Sequence, residues 1–123
     1  MGDIFKSVPQ QEDERVGRVD DEGNVYRHVS RGPDKRVGQV HQDGKIYRNK
    51  RLAPDEMLGR VDAQGNVYYQ VRMGPDKPAG RVDKSGEIYR HVEGDEDLRV
   101  GKVTGKNPRL HGAAALLLLL LKN

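Results

Sequence analysis

Glycine recurs at Gly17, Gly38, Gly59, Gly80 and Gly101, every 21 residues, and its neighbours repeat with it. Four segments align on it: VGRVDDEGNVYR from Val16, VGQVHQDGKIYR from Val37, LGRVDAQGNVYY from Leu58 and AGRVDKSGEIYR from Ala79. A truncated VGKVTGK follows from Val100. The connectors keep the same beat through Pro33, Pro54 and Pro75, and through Asp13, Asp34, Asp55, Asp76 and Asp97. A fixed period of this length means an array of small units, none of which buries its apolar face alone. Length and composition agree with one such array: 123 residues suit a single domain, 1–123.

Each unit reads as a β-hairpin. In the first, Gly17-Arg18-Val19 is a short strand, Asp20-Asp21-Glu22-Gly23 a polar turn, and Asn24 to Val29 the returning strand. Asp at the first turn position and Gly at the last suit a type I turn followed by a left-handed residue. Gly44, Gly65 and Gly86 fill the same slot in the later copies. In that register Val19 faces Val25 on one face while Arg18 lies beside Tyr26 on the other. The pairs recur as Val40/Ile46 with Gln39/Tyr47, Val61/Val67 with Arg60/Tyr68, and Val82/Ile88 with Arg81/Tyr89. One face of every hairpin is therefore β-branched aliphatic, and the other a tyrosine beside a cation in three of the four.

The two ends of the chain complement one another. Twenty-one residues before Gly23, Val25 and Tyr26 stand Gly2, Ile4 and Phe5, so GDIFK has the form of a second strand without its first. Val100 to Val103 has the form of a first strand without its second. The expected organisation is a half hairpin at 2–8, complete hairpins at 16–29, 37–50, 58–71 and 79–92, and a half hairpin at 100–104. A lone hairpin is marginal in water. Halves that complete each other imply a mostly β, closed, pseudo-symmetric ring or funnel.

Repeated hairpins of the VGxVDxxGxVY type with a proline-containing connector resemble the bacterial proteins called four-fold beta flowers, over roughly Gly2 to Thr104. The resemblance implies hairpin petals around a pseudo-symmetry axis, and it implies no particular biochemical role. Four complete hairpins and a split fifth leave a ring of four or of five petals open.

The chain ends GAAALLLLLLKN, in a sequence whose charged residues make up 33 % and which has no tryptophan and one phenylalanine. Ala113 to Leu121 would make a helix about 13–14 Å long, at 1.5 Å per residue. That is too short to span a bilayer, which takes about 20 apolar residues. A helix apolar on every side is buried on every side. A ring with aliphatic inner faces surrounds a helix, so Leu116, Leu117, Leu118, Leu119, Leu120 and Leu121 are read as its central plug, within a helix at 111–122. Asn107-Pro108 and His111-Gly112 then form the turn into the ring, and Lys122-Asn123 a polar end. Identical leucines would tolerate any rotation of that helix. A peripheral membrane tail and an oligomer contact are the other readings of the run.

No catalytic constellation and no cofactor or metal set is expected. His28 and His91 share a repeat position with Asn49 and Gln70, as a solvated position varies. Asp20-Asp21-Glu22-Gly23-Asn24 lacks the alternating ligands of an EF-hand, and the sister turns HQDG, DAQG and DKSG do not keep its carboxylates. With no cysteine there is no disulfide and no thiolate chemistry. The first residues, MGDIFKSVPQQEDER, lack a secretory pattern, and a cytoplasmic location is expected. Lys plus Arg is 22 against 19 Asp plus Glu, a small excess on a mixed-sign surface. One repeated pattern has binding chemistry: Tyr26, Tyr47, Tyr68 and Tyr89 beside Arg18, Arg60 and Arg81. Aromatic rings beside guanidinium groups suit stacked bases and phosphates of single-stranded nucleic acid; they equally suit contacts between neighbouring hairpins. The expected function is a non-enzymatic structural or binding module. The alternatives are a nucleic-acid or polyanion binder and an envelope protein tethered by its leucines. A protein partner or self-association is compatible with the first.

Overall fold

The computed structural model describes residues 2–71 and 73–121. Ten antiparallel strands follow in order: β1 Gly2–Lys6, β2 Glu14–Val19, β3 Asn24–Arg27, β4 Lys35–Val40, β5 Lys45–Arg48, β6 Glu56–Val61, β7 Asn66–Tyr69, β8 Lys77–Val82, β9 Glu87–Arg90 and β10 Leu98–Val103. Each pairs with the next, and β1 pairs with β10, so the sheet closes into a barrel with no free edge. The closing pair sets Ile4 opposite Val103 and Phe5 opposite Lys102. Thr104 N–H donates to the Asp3 carbonyl at 3.0 Å, the bond that Asp20 makes to Asn24 inside an intact turn. The ring thus has five petals: one β2–β3, two β4–β5, three β6–β7, four β8–β9, and five β10–β1 joined from the two ends of the repeat region.

Within each petal the register follows from the turn. Gly23, Gly44, Gly65 and Gly86 take φ of 86, 95, 92 and 95°, where a side chain is strained. Their carbonyls accept the N–H of Val40, Val61, Val82 and Val103 in the following petal at 2.8–2.9 Å, so each turn also stitches the ring. The aliphatic pairs Val19/Val25, Val40/Ile46, Val61/Val67, Val82/Ile88 and Val103/Ile4 are all buried. Between petals strict alternation fails once per repeat. Ile4 pairs with Gly17 and Phe5 with Arg15, leaving Val16 as the extra residue of a β-bulge. Val37, Leu58, Ala79 and Val100 are extra in the same way. A bulge bends its strand and increases its twist, which is what closing ten short strands requires. It also aims two consecutive residues, Val16 and Gly17 in the first case, toward the interior.

The helix inside the barrel differs from its sequence expectation in start, form and freedom. α1 spans Pro108–Ala115, with proline in its first turn and the His111 N–H bonded to the Asn107 carbonyl at 2.9 Å. His111 and Gly112 are therefore helical, and the redirecting turn is confined to the residues between Val103 and Pro108. From Leu116 to Leu120 the helix is π-wound, and the Leu121 N–H reaches the Leu116 carbonyl at 2.9 Å. Lys122 and Asn123 lie outside the described residues.

The side chains explain the order of small residues before large. At the level of the aliphatic pairs ten β-branched side chains fill the barrel, and the helix there is Gly112-Ala113-Ala114-Ala115, all buried. A β-carbon on Gly112 would come within 2.6 Å of Val82. One level further along, each petal contributes a glycine instead. Built β-carbons there would meet leucine methyls: Gly80 with Leu116 at 2.9 Å, Gly59 with Leu117 at 3.0 Å, Gly38 with Leu118 at 2.7 Å, Gly17 with Leu119 at 3.0 Å and Gly101 with Leu120 at 3.1 Å. Successive leucines visit successive petals, four, three, two, one and five. Each residue advances a fifth of a turn, which an α-helix at 3.6 residues per turn overshoots and the wider π-winding approaches. The leucines are not free to rotate; each occupies its own glycine notch.

Candidate functional site

The outer face and one mouth of the barrel carry the chemistry. On the outer face the tyrosine–arginine pairs are formed within each petal. The Arg18, Arg60 and Arg81 guanidinium carbons lie 4.0, 4.4 and 3.9 Å from the ring centres of Tyr26, Tyr68 and Tyr89. Each arginine also donates from Nε to a connector aspartate 16 residues on: Asp34 at 2.9 Å, Asp76 at 3.0 Å and Asp97 at 3.1 Å. The Arg18 hydrogen bond holds the Asp34 carboxyl below its ordinary range. In petal two His41 stacks on Tyr47, ring centres 4.6 Å apart, and in petal five Lys102 lies 5.4 Å from the Phe5 ring centre. The seven residues read from the sequence as a candidate binding face are Arg18, Tyr26, Tyr47, Arg60, Tyr68, Arg81 and Tyr89; one face of Tyr26, Tyr68 and Tyr89 is covered by guanidinium, and the guanidinium groups are committed to carboxylates. As an arrangement this clasps a petal to the connector that follows it.

A second set of arginines starts the first strands. Arg15 donates to Asp3 at 3.1 Å, Arg36 to Asn24 at 3.0 Å, and Arg99 to Glu87 and, at 2.9 Å, to Asp13. The Arg99 hydrogen bond lowers the Asp13 carboxyl. In the turns, burial pushes the Asp20 carboxyl up, but hydrogen bonds from the Asn24 backbone and side chain and the Glu22 N–H outweigh it and leave it below normal. Asp62 and Asp83 behave alike through Asn66 and Gln64, and through Ser85 and Glu87. These carboxylates are spent on turn geometry. Among the described residues no group of three or more His, Asp or Glu is placed to hold a metal.

The mouth at the connector end is different. Two residues past each buried second-strand aliphatic, on the same face, stand Lys6, Arg27, Arg48, Tyr69 and Arg90. The leucine plug forms the floor below them. One cavity of about 370 Å³ lies between Arg27, Lys35, Arg36, Arg48 and Arg51 above Leu118. A second, about 520 Å³, is bordered by Lys6, Glu14, Arg15 and Arg27 above Leu119. The largest, about 850 Å³, lies between Tyr69, Lys77, Ala79 and Arg90 above Leu121. Arg48 is paired with Glu56, whereas Arg27 and Lys35 form no ion pair among the described residues. This ring is not among the residues that the repeat pattern marks as a binding face. Its signal was present at the 21-residue period, but nothing in the pattern says that these positions share a floor, because the floor is built from the far end of the chain.

Compared with known protein families, curated proteins and solved structures, the chain has no match.

Proposed function

We propose that this chain is a non-catalytic binding module whose ligand-contacting surface is the connector-end mouth, and that its ligands carry negative charge. The observation behind it is that Lys6, Arg27 and Arg90, which form no ion pair among the described residues, stand with the Glu56-paired Arg48 over an apolar leucine floor, with open cavities between. Cations beside low-dielectric apolar surface attract an anion more strongly than the same cations in open water. We further infer that the ring is a five-petalled counterpart of the beta flower proteins it resembles; the closed sheet and the repeated hairpin support that reading. Nucleic-acid binding through the tyrosine–arginine rows is the less favoured alternative, because those guanidinium groups already have carboxylate partners.

The test is an NMR titration of the full chain with tripolyphosphate at low ionic strength. The amides of Arg27, Arg48, Arg90 and Leu118 to Leu121 should shift, and salt should reverse the effect. Shifts confined to Arg18, Tyr26, Arg60, Tyr68, Arg81 and Tyr89 would transfer the function to the outer face. No shift at either place would end the anion reading.

A further inference from the structure

Five near-copies in a closed ring share one set of packing requirements, so a place where several neighbouring positions depart together answers to something else. The junction of petals three and four is such a place. The position held by Lys6, Arg27, Arg48 and Arg90 is Tyr69. The position held by Arg15, Arg36, Met57 and Arg99 is Pro78, and that held by Val16, Val37, Leu58 and Val100 is Ala79. The strand pairing sets them side by side, Tyr68 against Pro78 and Tyr69 against Lys77. All three departures border the 850 Å³ cavity.

Part of the space has a structural cause. Leu121, one π-turn beyond Leu116, returns to the sector of petal four, where Ala79 makes room for it. Leu121 does not fill that space: it is only half-buried and serves as the cavity floor. Tyr69 is 39 % exposed, and with Pro78, Ala79 and Leu121 it makes a largely apolar wall. Lys77 and Arg90 stand at the rim with no ion pair or side-chain hydrogen bond among the described residues. His91, by contrast, sits 3.4 Å from Asp97 and 3.7 Å from Glu93. Of the side chains lining the cavity Lys77 and Arg90 are cationic and Glu93 is anionic, an excess of one positive charge. An apolar cleft with a few polar groups that fix orientation is the usual form of a small-molecule site.

We propose that this cavity binds a small aromatic carboxylate, its ring against Tyr69, Ala79 and Leu121 and its acid between Lys77 and Arg90. Tyr69 offers a ring face for offset stacking, and the Arg90 guanidinium matches a carboxylate in bidentate geometry. One net positive charge selects a monoanion over a neutral or cationic ring of the same shape. The inference rests on the mouth being the binding surface, and it names the ligand class for one sector of it.

Calorimetric and NMR titration of the full chain with 2-naphthoate tests it, with the 2-naphthylmethylammonium ion as the matched cation. One site per chain is expected, with shifts at Tyr69, Ala79, Arg90 and Leu121, and affinity for the cation lower by about tenfold or more. Restoring the repeat residue by Tyr69→Arg or Ala79→Val should weaken 2-naphthoate by about tenfold while the melting temperature holds. Tyr69→Arg decides alone if Ala79→Val crowds Leu121 and fails to fold. Arg90→Gln should remove the preference for the anion. Absence of saturable binding, equal binding of the two probes, or a Tyr69→Arg protein that binds as well as the parent overturns the proposal. Tripolyphosphate shifts that persist alongside such a result would leave the mouth reading standing; their absence would remove both.

Discussion

Truncating the six leucines one at a time tests the notch-by-notch packing of the plug. Leu116 is fully buried, Leu118 is 6 % exposed, and Leu117, Leu119, Leu120 and Leu121 are half-buried. Removing a buried leucine side chain costs about 2–5 kcal/mol, more where the site cannot collapse. The Leu116 site is poorly placed to collapse: its neighbour is Gly80, which has no side chain to move into the space and whose β-carbon would stand 2.0 Å from the Tyr89 carbonyl oxygen. Leu116→Ala should therefore lose about 3–4 kcal/mol, with Leu118→Ala close behind. Leu117, Leu119 and Leu120 to Ala should each lose about 1–3 kcal/mol, in proportion to their smaller burial. Leu121→Ala, with no glycine notch, should lose about 1 kcal/mol or less. Against a total of about 5–15 kcal/mol, the largest of these is a substantial fraction. Melting temperatures should fall by roughly 4 °C per kcal/mol in a domain of this size. Urea unfolding followed by far-UV circular dichroism, with the slope constant across the series, supplies the free energies. A flat profile, or one in which Leu121 matters as much as Leu116, would refute one-leucine-per-petal packing. Replacing Leu118 and Leu119 together by Asp should unfold the hairpins outright, since unpaired carboxylates would then be buried.

Four further substitutions have outcomes set by the geometry. Gly59→Ala should cost about 2 kcal/mol or more in chemical denaturation, because its β-carbon would meet the Tyr68 carbonyl at 2.0 Å and Leu117 at 3.0 Å. Gly32→Ala, whose nearest neighbour is at 3.9 Å, should stay within about 0.5 kcal/mol. His111 is 5 % exposed, its Nδ1 has no hydrogen-bond partner among the described residues, and burial pushes its pKa below 6.5. Folding thus favours its neutral form, so stability is full above about pH 6.5 and falls as pH drops from there toward the folded-state value. His111→Leu should abolish that slope in urea midpoints measured between about pH 5 and 7. Asp20, Asp62 and Asp83 are lowered, so the stability they contribute is present above their unfolded value of about 3.9 and lost as pH falls through the folded one. Asp62→Asn should flatten the acid limb of the same curve.

The repeat was legible in the chain because its cause is local. A glycine at the last turn position, an aspartate at the first and β-branched residues on alternating sites specify a hairpin and its register without reference to anything distant. The pairing of Val19 with Val25 and of Arg18 with Tyr26 follows from that alone. Closure was legible too, since Ile4 and Phe5 fall in phase with Val25 and Tyr26. What alternation could not convey was the bulge at Val16 and its four counterparts, although an adjacent pair of interior residues in every repeat was its trace. The paired residues Asn107-Pro108 and His111-Gly112 looked like turn material because proline and glycine usually are. Only the barrel makes Gly112 a close-packing residue against Val82.

The sequence by itself determined a ring of hairpins with an apolar interior and a leucine helix packed into it, because turn conformation, side-chain alternation and the avoidance of water are properties of short segments. Tertiary structure decided the number of petals, the π-winding of the leucines and the existence of the mouth. Those depend on how many strands close a circle, on five glycine notches meeting five side chains, and on residues near opposite ends of the chain sharing one floor. Distances between residues that far apart in sequence are set by packing the whole barrel at once, and no local pattern encodes them.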